Sequence, residues 1–276
     1  MKLAFCFLSY KDIEQQAVWK TFFEMGNKDQ YVIYLHRSDG IHESSLPDCK
    51  VIPTIPTRWG KFSLLQAQQN MYNEAFCDPT VHKFILLSGD SIPLYSFAKI
   101  YQYLMKDDKG YMQPIADSST VTHTSNAWPN DRPWKGHFIS QWTILNRSHI
   151  QLLQENWTML EKVFSDAHVP DEYMYYIFFN GFGYIDSFHT SSHMYVTHSI
   201  DTNACSIAHH AKPLTYHHNN FTPLHVEKIY STKCLFLRKI CSKMVVRMDW
   251  TMPYPLRNNG SNSLINRVRR NRLSGI

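Results

Sequence analysis

The residues of this sequence best suited to chemistry fall into four groups. Pro170-Asp171-Glu172 sets two carboxylates side by side ahead of an aromatic run, Tyr173-Met174-Tyr175-Tyr176. A carboxylate in the first turn of a helix is stabilised by free backbone N–H groups, and that structural role suits Asp171. Glu172 is a candidate general base, because partial burial among aromatic residues raises a carboxyl pKa. Spacing alone leaves a structural role open for both. Residues 233–243 include Arg238-Lys239, which read either as fixed cations for a diphosphate leaving group or as a solvated basic helix face. Ser9-Tyr10-Lys11-Asp12, His36-Arg37-Ser38-Asp39 and Ser88-Gly89-Asp90-Ser91 each follow a short apolar run and form the third group. Histidines crowding residues 189–225 form the fourth.

What is missing narrows the chemistry. There is no Gly-x-Gly-x-x-Gly and no Gly-x-x-x-x-Gly-Lys-Ser/Thr, so a Rossmann dinucleotide site and a P-loop are disfavoured. No Asp-x-Asp occurs, and Asp107-Asp108 lies in a Lys-rich turn that reads as solvated surface. A zinc reading would draw on His193 and His198, or on His209/His210 with His217/His218. Adjacent histidines on a strand point to opposite faces and chelate one ion poorly, and no HExxH is present. The expectation is therefore no metal.

The elements that must hold these groups alternate in type. Apolar runs at residues 2–8, 31–35, 50–55 and 84–87 read as strands. Helical spacing covers residues 12–25, 63–75 and 96–105 between and after them. This rhythm predicts an α/β fold with a mainly parallel central sheet flanked by helices. In such sheets ligands sit beyond the carboxyl ends of the strands, where the third group falls, although each of these segments also suits a plain solvated loop. Residues 111–134 read as loop, 141–145 as strand and 148–164 as helix; an aromatic helix opens at Pro170, and a last helix covers 231–246.

Composition sets the outer limits. The 276 residues hold 28 Lys+Arg and 23 Asp+Glu, a net charge of +5, with 43% hydrophobic residues. Residues 233–276 carry ten basic side chains and one acid, so the first 232 residues carry −4. Charge gathered at one end is not the footprint of a nucleic-acid-binding fold. It divides the chain into a catalytic body, residues 1–250, and a loose basic tail, residues 251–276, whose contact is an anionic partner, a membrane surface or nothing. No apolar run is long enough to span a membrane and no signal peptide is evident, which suggests a cytoplasmic, soluble chain with free thiols at its six cysteines.

Seven segments in order resemble the core-2/I-branching enzyme family of glycosyltransferases, which is similar to the peptide O-xylosyltransferases and to plant branching-type proteins. The opening strand Lys2-Leu3-Ala4-Phe5-Cys6-Phe7-Leu8 and Tyr31-Val32-Ile33-Tyr34-Leu35-His36 look like its first two strands. Trp59-Gly60-Lys61-Phe62-Ser63 resembles its WGxxS segment, and Phe84-Ile85-Leu86-Leu87-Ser88 with Ile92-Pro93-Leu94 resembles FVLLSxSCIPL. Trp134-Lys135-Gly136 with Gln141-Trp142 resembles WxKGSQW with an insertion. Pro170-Asp171-Glu172-Tyr173 resembles SPDEY, and Leu235-Phe236-Leu237-Arg238-Lys239-Ile240 resembles LFARKF. The likeness covers roughly residues 2–245.

The resemblance implies a single GT-A-like domain that moves a sugar, xylose or GlcNAc, from a UDP-sugar to a hydroxyl of a glycan or glycoprotein, with inversion and without a metal or other cofactor. Glu172 matches the family's base and Lys239 the lysine that neutralises the diphosphate, with Arg238 beside it. Trp59 falls where the family has an aromatic near the uracil; Ser9, Tyr10, His36 and Asp39 fall around the nucleoside, with Ser88, Gly89 and Asp90 on the next strand end. Trp134, Gln141, Trp142 and Asp171 fall on the acceptor side. The family's second phosphate-binding cation, an arginine about 23 residues before the lysine, has no counterpart; Lys212 or a nearby histidine stands in that region. Lacking the N-terminal anchor of animal and plant members, the chain reads as the kind a bacterium or large DNA virus encodes. The rival readings are a nucleotide-sugar-binding protein without turnover and a metal-dependent hydrolase built on the histidines.

Overall fold

The computed structural model describes residues 1–115, 121–123, 134–196, 214–217, 221–251 and 256–257. In chain order its elements begin β1 (Lys2–Ser9), α1 (Gln16–Glu24), β2 (Tyr31–Arg37), β3 (Cys49–Val51), α2 (Ser63–Phe76), β4 (Val81–Ser88), β5 (Ile92–Pro93), α3 (Phe97–Leu104) and β6 (Gly110–Tyr111). They continue with β7 (Val121–His123), β8 (Trp134–Gly136), β9 (Ile144–Asn146), α4 (Arg147–Phe164), α5 (Met174–Gly181), β10 (Phe188–His189) and β11 (Met194–Val196). The last are α6 (Pro223–Ser231), β12 (Phe236–Arg238), β13 (Arg247–Met248) and β14 (Leu256–Arg257).

Seven strands form one sheet in the order β10-β6-β9-β4-β1-β2-β3. Only β9 runs against its neighbours, so the sheet is the mainly parallel one expected of a GT-A-like chain. β1 is central, and Leu3 through Phe7 are fully buried. Its side chains alternate between two helical layers. Phe5 and Phe7 meet α1: Phe5 lies edge-on to Phe23 at 5.0 Å and Phe7 edge-on to Trp19 at 4.9 Å. On the opposite face Tyr72 of α2 packs edge-on against Phe84, whose strand partner is Ala4. Trp19 does a second job, since its indole N–H donates to the Ser91 carbonyl at 2.8 Å and ties α1 to the loop after β4.

A smaller sheet, β11-β12-β5, sits beside the first. It corrects the expectation of a helix over residues 231–246. That helix ends at Ser231, having started earlier at Pro223, where proline's fixed φ suits a first turn. Cys234, Leu235, Phe236 and Leu237 are then buried in succession, which suits a strand covered on both faces and leaves a helix no solvent face. The segment at residues 111–134, expected as loop, contributes β7 and β8, a two-stranded ribbon. At the far end β13 pairs with β14, so described structure continues past the boundary expected at residue 250; residues 258–276 lie outside the described residues. No helix among the described residues is long and apolar enough to cross a membrane.

Candidate active site

The carboxyl ends of β1, β2 and β4 come out side by side, with Ser9 opposite Arg37 and Leu8 opposite Ser88. The loops that follow are laced by backbone bonds. Ser38 N–H donates to the Ser9 carbonyl (3.1 Å), Asp39 N–H to Tyr10 (2.8 Å) and Glu14 N–H to Gly89 (2.7 Å). Gly89 makes this approach feasible, because a Cβ there would stand 2.1 Å from Ser9 Oγ. Ser88 donates its hydroxyl to Asp90 at 2.6 Å.

Arg37 organises the β2 end. Its guanidinium donates to both carboxylate oxygens of Asp39, at 3.0 and 2.7 Å, and lies 3.8 Å from Asp12. Those bonds hold the Asp39 carboxyl below its usual range. His36 has no exposed surface; its Nε2 accepts the Ile55 N–H at 3.1 Å, and burial depresses its pKa. His36 thus braces the backbone at the end of β2 from inside the fold. Tyr10 and Trp59, by contrast, are 76% and 79% exposed. Trp59 stands edge-on to His168 at 6.2 Å.

The carboxylate pair sits in a turn of its own. Pro170–Glu172 is a single 3-10 turn, and α5 begins afresh at Met174. The turn is entered through Val169 at φ 46°, an uncommon conformation for a β-branched residue, costing roughly 1–3 kcal/mol. Val169 N–H donates to the Gly60 carbonyl at 3.0 Å, which fastens the turn to the Trp59 loop. Asp171 stands in the first turn, as expected of a helix-start acid, but of a 3-10 turn and in a buried setting. It is 5% exposed, and its Oδ1 has no hydrogen-bond partner. Burial raises Asp171 to about 6. Burial, then the neighbouring Asp171 charge, raises Glu172 to about 7. Glu172 is half-buried and keeps a route to the surface.

The cations arrive on β12. Leu237 pairs with Ile92 of β5, and Ile240 N–H donates to the Asp90 carbonyl at 2.9 Å. Arg238 Nε then meets Asp90 Oδ1 at 3.1 Å, and Lys239 Nζ meets Asp90 Oδ2 at 3.4 Å. The Arg238 guanidinium lies over the Trp142 ring, 4.8 Å from its centroid. Trp142 is 6% exposed, and three residues before it Ile139 N–H donates to the Glu172 carbonyl at 2.6 Å. One short segment therefore touches the Glu172 turn at one end and Arg238 at the other. Gln141 lies in that segment, half-buried. Trp134 opens β8 opposite His123, and its side chain is outside the described residues.

The described histidines do not assemble. His193 is 2% exposed and burial lowers it to about 3; His189 pairs with Asp107 at 2.9 Å, while His82 pairs with Asp108 at 2.7 Å. Asp107 and Asp108 are thus partnered. Among the described residues no three His, Cys, Asp or Glu side chains gather as a metal site requires. His198, His209, His210, His218 and Lys212 lie outside the described residues.

Against known proteins, a family model described as Core-2/I-Branching enzyme matches residues 3–230. The chain belongs to the core-2/I-branching enzyme family. A curated relative, glycosyltransferase BC10 of rice (Oryza sativa subsp. japonica), is 24% identical over 166 residues, or 58% of this chain and 42% of that protein. The match thus spans less than half of the relative. Among solved structures, HddC from Yersinia pseudotuberculosis aligns with a TM-score of 0.29 and 12% identity over 55% of this chain and 79% of that one, a likeness too low to carry any argument.

Proposed function

We propose that this glycosyltransferase moves a sugar, xylose or GlcNAc, from a UDP-sugar to a hydroxyl of a glycan or glycoprotein acceptor, inverting the anomeric carbon and using no metal. Glu172 takes the proton from the acceptor hydroxyl as that oxygen bonds to the anomeric carbon. The bond from that carbon to the phosphate oxygen breaks on the opposite face, and its electron pair leaves with UDP. Arg238 and Lys239 neutralise the charge that grows on the diphosphate, as fixed cations do when aimed where charge develops. The supporting observation is the 139–142 segment, bonded to Glu172 through Ile139 and stacked on Arg238 through Trp142. A base poised near pH 7 suits deprotonation of a hydroxyl at neutral pH.

The test is UDP release and labelled-sugar transfer across a panel of UDP-sugars, with and without EDTA. Turnover that survives EDTA is expected. Complete loss of turnover in EDTA would exclude the metal-free mechanism, and UDP binding with no turnover on any acceptor would favour a binding protein.

A further inference from the structure

Asp90 is an awkward neighbour for a diphosphate. It brings a negative charge to the strand end where, on the reading above, an anionic leaving group is received. Yet it is firmly installed. Its Oδ1 accepts from Ser88 Oγ at 2.6 Å and from Arg238 Nε at 3.1 Å, its Oδ2 faces Lys239 Nζ at 3.4 Å, and its carbonyl accepts from Ile240 N–H at 2.9 Å. Its side chain is 13% exposed.

The two cations are held unequally. Arg238 is 19% exposed, hydrogen-bonded through Nε and stacked on Trp142. Lys239 is 41% exposed and makes the longest of the contacts to Asp90. A lysine ammonium on a flexible stem exchanges partners readily, whereas a stacked, hydrogen-bonded guanidinium stays in place.

We propose that Asp90 is a resident counter-ion of the diphosphate site, a positioning residue that holds Arg238 and Lys239 between turnovers, yields Lys239 to the incoming diphosphate, and retakes it as UDP departs. This rests on the reading that Arg238 and Lys239 face the donor diphosphate. Arg238 remains anchored throughout and keeps Nη1 and Nη2, which bond no described residue, for the phosphate. The competition weakens UDP binding and speeds product release, which a purely structural acid would not do.

Titration calorimetry with UDP and with inorganic pyrophosphate tests this on the wild type, Asp90→Asn and Asp90→Glu. Removing one negative charge a few ångströms from the phosphates is expected to tighten UDP binding about 3- to 10-fold and lower the UDP product-inhibition constant by a similar factor. Asp90→Glu, which keeps the charge, should stay within about twofold of the wild type. A folded Asp90→Asn that binds UDP equally or more weakly overturns the proposal. If Asp90→Asn does not fold, a wild-type structure with pyrophosphate decides. Lys239 Nζ on a phosphate oxygen and more than about 4 Å from Asp90 is the expected result; Lys239 still on Asp90 overturns it. A wild type that binds neither UDP nor pyrophosphate removes the donor reading itself, whereas a wild type that binds UDP beside an indifferent Asp90→Asn removes only the counter-ion.

Discussion

The guanidinium of Arg238 lies 4.8 Å from the centroid of the Trp142 ring. Since Trp142 is almost fully buried, the ring is a fixed platform and the cation inherits its position. A cation over an indole face gains roughly 0.5–2 kcal/mol, depending on desolvation, and less over a phenyl ring. Trp142→Phe keeps most of the buried apolar volume and weakens the platform. UDP affinity should fall about 2- to 5-fold, with the melting temperature within a few degrees of the wild type. Calorimetry beside thermal melts separates the two effects.

The rate of transfer should depend on pH through Glu172. A general base works deprotonated, so kcat/KM should rise with pH and level off above about 7, where Glu172 titrates. Asp171 contributes to that value through its charge. Asp171→Asn should therefore shift the rising limb to lower pH. An unmoved limb would assign the titration to another group.

The same carboxyls act on stability with the opposite sign from a salt-bridged acid. Their folded pKa values, about 6 for Asp171 and about 7 for Glu172, lie above the ordinary carboxylate range. Between about pH 4 and 7 the folded state therefore binds more protons than the unfolded chain, so stability falls as pH rises through that window. Glu172→Gln removes the penalty. It should stabilise the protein by about 1–2 kcal/mol at pH 8, discounted because the carboxyl retains some solvent contact, with the gain vanishing below about pH 4. Denaturant melts at both pH values measure it.

Gly89→Ala forces a methyl to within 2.1 Å of Ser9 Oγ and 2.7 Å of Ser9 Cβ. Overpacking of this kind costs about 1–3 kcal/mol. The double variant Ser9→Gly with Gly89→Ala removes both clashing atoms and should recover most of the lost melting temperature. A double variant no more stable than Gly89→Ala would place the strain elsewhere.

The alternation of strands and helices is legible where β1, β2 and β4 are apolar runs and the early helices have one apolar face, whereas the two-residue β6 and β10 carry no such run. Residues 231–246 were misread for a physical reason. Leu235, Phe236 and Leu237 are consecutive and buried, and a run that short has no period to separate strand from helix. Glu172 stood out by its motif, and the raised pKa is the kind its aromatic setting led one to expect. The burial of Asp171 is not legible, because it comes from a separate 3-10 turn that spacing cannot reveal. His36 looked like a loop residue but is the buried end of β2. Arg37 and its grip on Asp39 went unseen, although a cation closing an otherwise apolar strand was a signal to follow.

The central claim, that Glu172 is the base of a UDP-sugar transferase, meets its most direct test in one comparison: the rate of labelled-sugar transfer by Glu172→Gln and by the wild type, at pH 7.5 and saturating donor. Loss of a general base costs about 100- to 10,000-fold in rate, and Glu172→Gln should fall in that range with UDP affinity within about threefold of the wild type. Near-wild-type turnover by Glu172→Gln would contradict the account.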